Sequence, residues 1–225
     1  MVTALEPASP DADVSPWESA YLRFETPEQE VRKFVRRLRR LGAGRWPRDT
    51  GVLELFSGRG NGLRALAELG FSRIFGVDLS VALVGRSFGR GGLLVGDCRR
   101  LPFADGSQDV AIVQGGLHHL LELPGDLEQT VAEVRRVLRA GGRLVAVEPW
   151  KTPFLSLVHR LAAGGPARKL SARLDALGTM IDLEGPTYEN WLARPAPILA
   201  SLRGAFEVEI CRARWGKLLF VGRKP

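Results

Sequence analysis

Val52-Leu53-Glu54-Leu55-Phe56-Ser57-Gly58-Arg59-Gly60-Asn61-Gly62 runs from a short apolar stretch, through an acidic residue, into a glycine-rich turn. A brief apolar run bounded by turn residues is the pattern of a buried strand. Glycine lets the backbone turn tightly and approach a ligand, and the first N–H groups of a following helix have no partner inside it. Such a corner suits a bound nucleotide-like group, and it equally suits a bare strand-to-helix turn. What stands at the ends of the next strands separates the two.

Upstream of this stretch, Thr26-Pro27-Glu28-Gln29 predicts a helix start, with Thr26 as cap, Pro27 where a missing N–H costs nothing and Gln29 closing a capping box. That helix reaches about Leu41 and stops at Gly42. Strands are predicted at Val52–Phe56, Ile74–Val77, Leu93–Val95, Val110–Val113 and Arg143–Val147. Helices fall between them at Leu63–Leu69, Ser80–Phe88 and Leu127–Leu138. Apolar strands alternating with helices predict a parallel sheet covered on both faces. Phe206–Arg212 and Leu218–Val221 are separated only by a turn around Trp215-Gly216, too short for a parallel crossover, so this last pair is antiparallel. The expected fold is α/β, a Rossmann-like doubly wound seven-stranded sheet, mostly parallel with an antiparallel C-terminal strand.

A chain of 225 residues, 45% hydrophobic, has material for one well-filled core. We expect a flexible N-terminal arm over 1–25, loose and rich in Pro, Asp and Ser to residue 16 with order beginning near Trp17, and a single domain over 26–225. Within it lie a core at 50–150, a helical lid at 150–203 and the closing pair at 205–223. No apolar run approaches the ~20 residues that span a bilayer, and residues 1–16 carry acids and prolines where a signal peptide needs basic residues, so a cytoplasmic protein is expected. Cys98 and Cys211 lie far apart without a ligand-spaced partner, and no metal is expected. The net charge of +7 is spread along the chain as arginine. Its densest cluster, Arg32 to Arg40, alternates with Val31, Phe34, Val35, Leu38 and Leu41 at helical spacing and reads as the solvated face of an amphipathic helix. Its one aromatic, Phe34, belongs to the apolar face and no others interleave to stack bases, so neither nucleic acid nor membrane is an expected partner.

Ligands of open α/β sheets bind at the carboxyl ends of the strands. Glu54, Asp78, Asp97 and Gln114 all fall there, and Asp78 follows Gly60 by eighteen positions, close to the spacing at which a carboxylate receives two ribose hydroxyls. Any one of the acids also reads as a helix cap or solvated loop residue. The series at successive strand ends favours a ligand.

At this point the chain resembles the class I S-adenosylmethionine-dependent methyltransferases, of the small-molecule, methyltransferase-11-like kind. The resemblance rests on Val52 to Gly62, Gly76-Val77-Asp78, Gly96-Asp97, Leu101 to Val110, Leu117-His118-His119-Leu120 and Val137 to Gly142, and covers about residues 50 to 150. It implies S-adenosylmethionine as cofactor, leaving as S-adenosylhomocysteine. It places Glu54 and the Gly58–Gly60 turn at the methionine part, and Asp78, beside Leu79, at the ribose hydroxyls. It sets Asp97 at the adenine amino group, the Cys98 backbone N–H near the ring, and Gln114 beside the ammonium or the methyl. Asp105 and Asp109 become structural. Phe56 stands where the family has glycine, either pointing away from the cofactor or narrowing its pocket.

Methyl transfer from a sulfonium needs chiefly alignment, and a base only where the acceptor atom is protonated. His118 and His119 are the candidate catalytic residues, because histidine titrates near neutrality. The alternative is a packed helix start. Glu148 faces the acceptor or is a turn residue, and His159 belongs to the surface or the lid. In the lid, Pro153, Gly164-Gly165-Pro166, Gly185-Pro186 and Pro195 predict two or three short helices. Tyr21, Trp150, Tyr188 and Trp191, with Trp17 and Phe24, either line an acceptor pocket or seal the helices onto the sheet. The expected activity is methylation of a small organic acceptor at O, N or C, by a monomer or homodimer. The rivals are a non-catalytic S-adenosylmethionine-binding or scaffold protein and a basic enzyme acting at RNA or a membrane surface.

Overall fold

A computed structural model describes residues 15–87 and 92–225. Helix α1 (Pro16–Phe24) is capped by the Ser15 hydroxyl. Helix α2 (Pro27–Arg40) has the predicted capping box, with Thr26 and Gln29 each accepting the other's backbone N–H. The chain then alternates through β1 (Val52–Leu55), α3 (Asn61–Glu68), β2 (Ile74–Asp78), α4 (Val81–Gly85), β3 (Gly92–Val95), β4 (Gln108–Gln114), α5 (Gly125–Val137) and β5 (Leu138–Pro149). Four helices follow, α6 (Pro153–Ala163), α7 (Gly165–Leu170), α8 (Ala172–Ala193) and α9 (Pro195–Ala205), and β6 (Glu207–Arg214) and β7 (Lys217–Arg223) close the sheet.

The seven strands lie in the order β3-β2-β1-β4-β5-β7-β6. All pairs from β3 to β5 are parallel, and β7 runs antiparallel to both β5 and β6. The order reverses between β1 and β4, where Leu55 pairs with Val113, so the crevice for a ligand opens beside Glu54 and Gln114. One face of the sheet is packed by Val31, Phe34 and Leu38 of α2 and by Leu63 and Leu66 of α3. The other holds Leu127 and Val131 of α5, Trp191 of α8, and Ile198 and Leu202 of α9. Helices on both faces explain why the central strands are apolar at nearly every position.

Three elements differ from the sequence pattern. The stretch expected to be arm contains α1, because Glu18 and Ala20 are buried against the domain. The fifth strand starts at Leu138, five residues early, taking in Gly141-Gly142 across an irregular register with β4. Pro186 does not break the lid: α8 runs through it for 22 residues. A proline inside a helix removes one hydrogen bond, and here buried Met180, Tyr188 and Trp191 on either side hold the turns together. Phe88, the expected end of the fourth helix, lies outside the described residues. Among the described residues no helix is long and apolar enough to cross a membrane.

Candidate active site

The glycine turn is wound left-handed. Phe56, Gly58 and Gly60 have φ of 55°, 51° and 81°. Asp78 ties the turn to β2: its Oδ2 accepts the Gly58 N–H at 2.7 Å and its Oδ1 the Ser80 N–H at 2.9 Å. Leu79 between them is 71% exposed. Glu54 is 3% exposed and lies over the first turn of α3, where a Cβ on Gly62 would stand 1.8 Å from its Oε1. Gly62 therefore has to be glycine for the carboxylate to sit there. Oε1 accepts the Gln114 Nε2–H at 3.3 Å, whereas Oε2 is buried without a hydrogen-bond partner. Burial pushes the Glu54 carboxyl up to about 8, against a smaller downward pull from Gln114.

Gln114 also accepts a 2.8 Å bond from Arg37 Nη1. Arg37 thus leaves the basic face of α2 for the crevice, and burial lowers its pKa. Glu30 accepts the Tyr21 hydroxyl and, at 2.8 Å, the Asn61 amide. Glu18 of α1 is buried between Arg59 of the glycine turn and Arg86, the latter at 3.0 Å. Apart from Tyr21 and Glu30, nine positions apart, none of these partners is near in sequence.

Beyond β3, the Asp97 carboxylate is held by Arg99, which keeps it well below the usual range, and Arg99 continues to Asp126 at 2.7 Å. Cys98 is half-buried with its Sγ 3.5 Å from the Thr130 hydroxyl. Asp105 and Asp109 serve the framework, Asp105 bonding Arg136 and Asp109 accepting the Gly51 N–H. Arg136 also donates to the carbonyls of Leu101 and Phe103, fixing that loop.

A second group gathers on the β5 side. Buried Glu148 accepts the Gly116 and Leu117 N–H groups at 2.9 and 3.0 Å on Oε1, and the His118 Nδ1–H at 2.8 Å on Oε2. His118 Nε2 lies 3.7 Å from Glu184 of α8. Burial lowers the His118 pKa, but the two carboxylates outweigh it and raise the group to about 9. The His119 pKa is lowered by desolvation and by the neighbouring His118, 4.1 Å away between ring centroids. Trp17 stacks on Tyr21, meets His119 edge-on, and donates from Nε1 to Glu184 at 2.6 Å. Tyr188 stands edge-on to His118 and bonds His159 at 3.1 Å.

The structure therefore brings Tyr21 and Tyr188 to the crevice and its histidines. Trp150 and Trp191 pack edge-to-face in the core instead, Trp191 fully buried with its N–H on the Pro149 carbonyl at 2.8 Å. Sequence reasoning missed Arg37, Glu184, Glu18 and Gly62 as parts of this region. Only Gly62 carried a local signal, a glycine in a helix start with no capping duty.

Residues 53–146 match a family model described as a methyltransferase domain. This segment of the chain is similar to methyltransferase domains. A demethylmenaquinone methyltransferase of Beutenbergia cavernae is 36% identical over 113 residues, 47% of this chain and 45% of that protein. A ubiquinone/menaquinone biosynthesis C-methyltransferase of Geobacter sp. (strain M21) is 31% identical over 146 residues, 60% and 57% of the two chains. The chain thus spans about half the length of these curated relatives. The crystal structure of the PH0226 protein from Pyrococcus horikoshii OT3 shares the fold, with a TM-score of 0.69 at 20% identity over 95% of this chain and all of that one. The resemblance implies S-adenosylmethionine as cofactor, and the residues at the strand ends fit it. The unpartnered Glu54 oxygen suits an ammonium, and the glycine turn allows close approach of the backbone.

Proposed function

We propose that this methyltransferase domain moves a methyl group from S-adenosylmethionine to a small aromatic acceptor carrying hydroxyl groups. The observation that carries the donor side is the buried, unpartnered Oε2 of Glu54 at the switch point between β1 and β4. An unpaired buried carboxylate oxygen costs more than a kilocalorie per mole, on the order of 1–3 kcal/mol, and a cationic ligand group relieves it. In this reading Glu54 and Gln114 bind the ammonium, and Asp78 holds the ribose hydroxyls while keeping the turn in shape. Asp97 and the Cys98 backbone N–H hold the adenine, Asp97 sharing its carboxylate with Arg99.

The donor supplies an already activated methyl, so the chain's task is to align the acceptor and exclude water. Trp17, Tyr21 and Tyr188 offer flat apolar walls beside His119, which suits a ring. The names of the curated relatives favour a quinol-like acceptor methylated at carbon. Net charge and the placement of Arg37 give no second reading comparable support.

Calorimetry of the intact protein with S-adenosylmethionine and S-adenosylhomocysteine tests the donor side, with one-site binding of both expected. Absence of binding sinks the proposal and favours a scaffold. Assays with hydroxylated naphthalene and benzene rings against simple amines test the acceptor class. Turnover of amines alone rejects the ring acceptor and leaves the donor assignment standing.

A further inference from the structure

Leu117-His118-His119-Leu120 reads in sequence as a base or a packed helix start, and the geometry supplies a third use. His118 offers Nε2 toward Glu184 because its Nδ1–H is fixed by Glu148, whose other oxygen is itself anchored by two backbone N–H groups. Glu184 is oriented the same way: Trp17 Nε1 holds Oε1, leaving Oε2 toward His118. A histidine with one ring nitrogen donating to a carboxylate and the other left as a lone-pair donor is the arrangement that metal-binding histidines show. One nitrogen of His118, one of His119 and one carboxylate oxygen of Glu184 all lie within 4.8 Å of one another.

The spacing fits an ion better than a direct bond. His118 Nε2 and Glu184 Oε2 are 3.7 Å apart, too long for a hydrogen bond. Bonds of about 2.0–2.2 Å in a tetrahedral site put neighbouring donor atoms roughly 3.3–3.5 Å apart, so a small inward turn of each side chain closes the set. Charge points the same way. Glu148 and Glu184 bring two negative charges into a buried setting and share one imidazole as ion-pair partner. Two imidazoles packed face-near-face are also better placed around a cation than as two cations.

We propose that His118, His119 and Glu184 form a binding site for one divalent transition-metal ion of the zinc class. Two nitrogens and one oxygen favour such an ion over magnesium or calcium, which prefer all-oxygen shells. Three protein ligands leave a position open for an oxygen of water or of the acceptor. Glu148 and Trp17 act as positioning residues behind the ligands. Because α8 contributes Glu184 and α1 contributes Trp17, the ion also joins the lid and the N-terminal helix to β5. The site does not rest on the methyl-transfer reading, and its test reads metal rather than turnover.

Chelator-treated full-length protein is titrated with ZnCl2 by calorimetry and with CoCl2 by visible absorption. The expected result is about one equivalent bound, with the intense d–d bands of a four- or five-coordinate cobalt ion and displacement of cobalt by zinc. Glu184→Gln keeps an acceptor for Trp17 yet removes the anionic ligand, and is expected to weaken both metals by ~10-fold or more. His119→Ala is expected to do the same, with the far-ultraviolet circular dichroism of each variant matching the parent. No saturable binding up to millimolar metal overturns the proposal and leaves a protonated His118 bridging the two carboxylates. One-equivalent binding of unchanged affinity in Glu184→Gln overturns it too, because the ion then sits elsewhere. S-adenosylhomocysteine binding measured on the same chelated sample fails or succeeds separately.

Discussion

Phe56 and Gly116 occupy each other's side-chain space across the mouth of the sheet: a Cβ on Gly116 would lie 2.2 Å from Cγ of Phe56. The backbone of Phe56 is left-handed, a conformation that costs a bulky residue ~1–2 kcal/mol. The aromatic ring recovers this by packing over the glycine and against the core. The side chain in place of the family's glycine therefore leans on the β4 end.

This pairing makes the two positions non-additive. Gly116→Ala is expected to destabilise the protein by about 1–3 kcal/mol through overpacking. In a Phe56→Gly background the same change is expected to cost roughly 0.5 kcal/mol or less, since the clash is gone. Urea denaturation of the four proteins in the cycle measures the coupling, and additive costs would show that the ring has moved aside.

Asp78→Ala removes two hydrogen bonds from backbone N–H groups as well as the proposed ribose contact. Hydrogen bonds to a charged group are worth about 1.5–3 kcal/mol each, so S-adenosylhomocysteine affinity is expected to fall by ~10- to 100-fold. Asp78→Asn keeps one acceptor oxygen and is expected to fall between the two. Unchanged affinity in Asp78→Ala, by calorimetry, means that the ribose binds elsewhere.

Glu54 gives a pH dependence with a definite sign. Its folded-state pKa is raised to about 8, so between the ordinary carboxyl range and pH 8 the folded protein holds a proton that the unfolded chain has lost. Stability contributed by this group is fully present at low pH and declines as pH rises toward 8, with a slope near 1.4 kcal/mol per pH unit inside the window. Melting temperature at pH 6, 7 and 8 is expected to fall in the parent and to flatten in Glu54→Gln. Cofactor affinity is expected to move oppositely and rise with pH, because the carboxylate form attracts an ammonium. A parent curve as flat as that of the Gln variant refutes both.

Trp191 separates sealing from acceptor binding. Trp191→Phe leaves the Pro149 carbonyl without its 2.8 Å donor in a fully buried position, and a loss of ~1–3 kcal/mol is expected. Acceptor KM is expected to stay unchanged, whereas Tyr188→Ala raises it. A KM change in Trp191→Phe without loss of stability would return Trp191 to the acceptor pocket.

The strand series, the capping box at Thr26 and the antiparallel close at Trp215-Gly216 were legible because each is local: period, cap and turn length reside in a few neighbouring residues. The acids at the strand ends were legible for the same reason, since a parallel sheet puts all its carboxyl ends on one side. Arg37 to Gln114 and Trp17 to Glu184 were not, being contacts across 77 and 167 positions that no short window contains. The Pro186 helix misled because breaking power was read from the residue, while the buried side chains around it decide whether the helix continues. His118 was visible as a histidine, but its orientation depends on Glu148, which in sequence reads as an acceptor-facing or a turn residue.

The position of β7 also sets an order of events during synthesis. This strand lies inside the sheet between β5 and β6, although both precede it in the chain. Until residues 217–223 have been made, β5 presents an unpaired edge and β6 has no neighbour to join. The nascent chain therefore carries an open, apolar edge through the whole of residues 150–216, the interval in which a chaperone or rapid docking of α5 and α9 has most to protect.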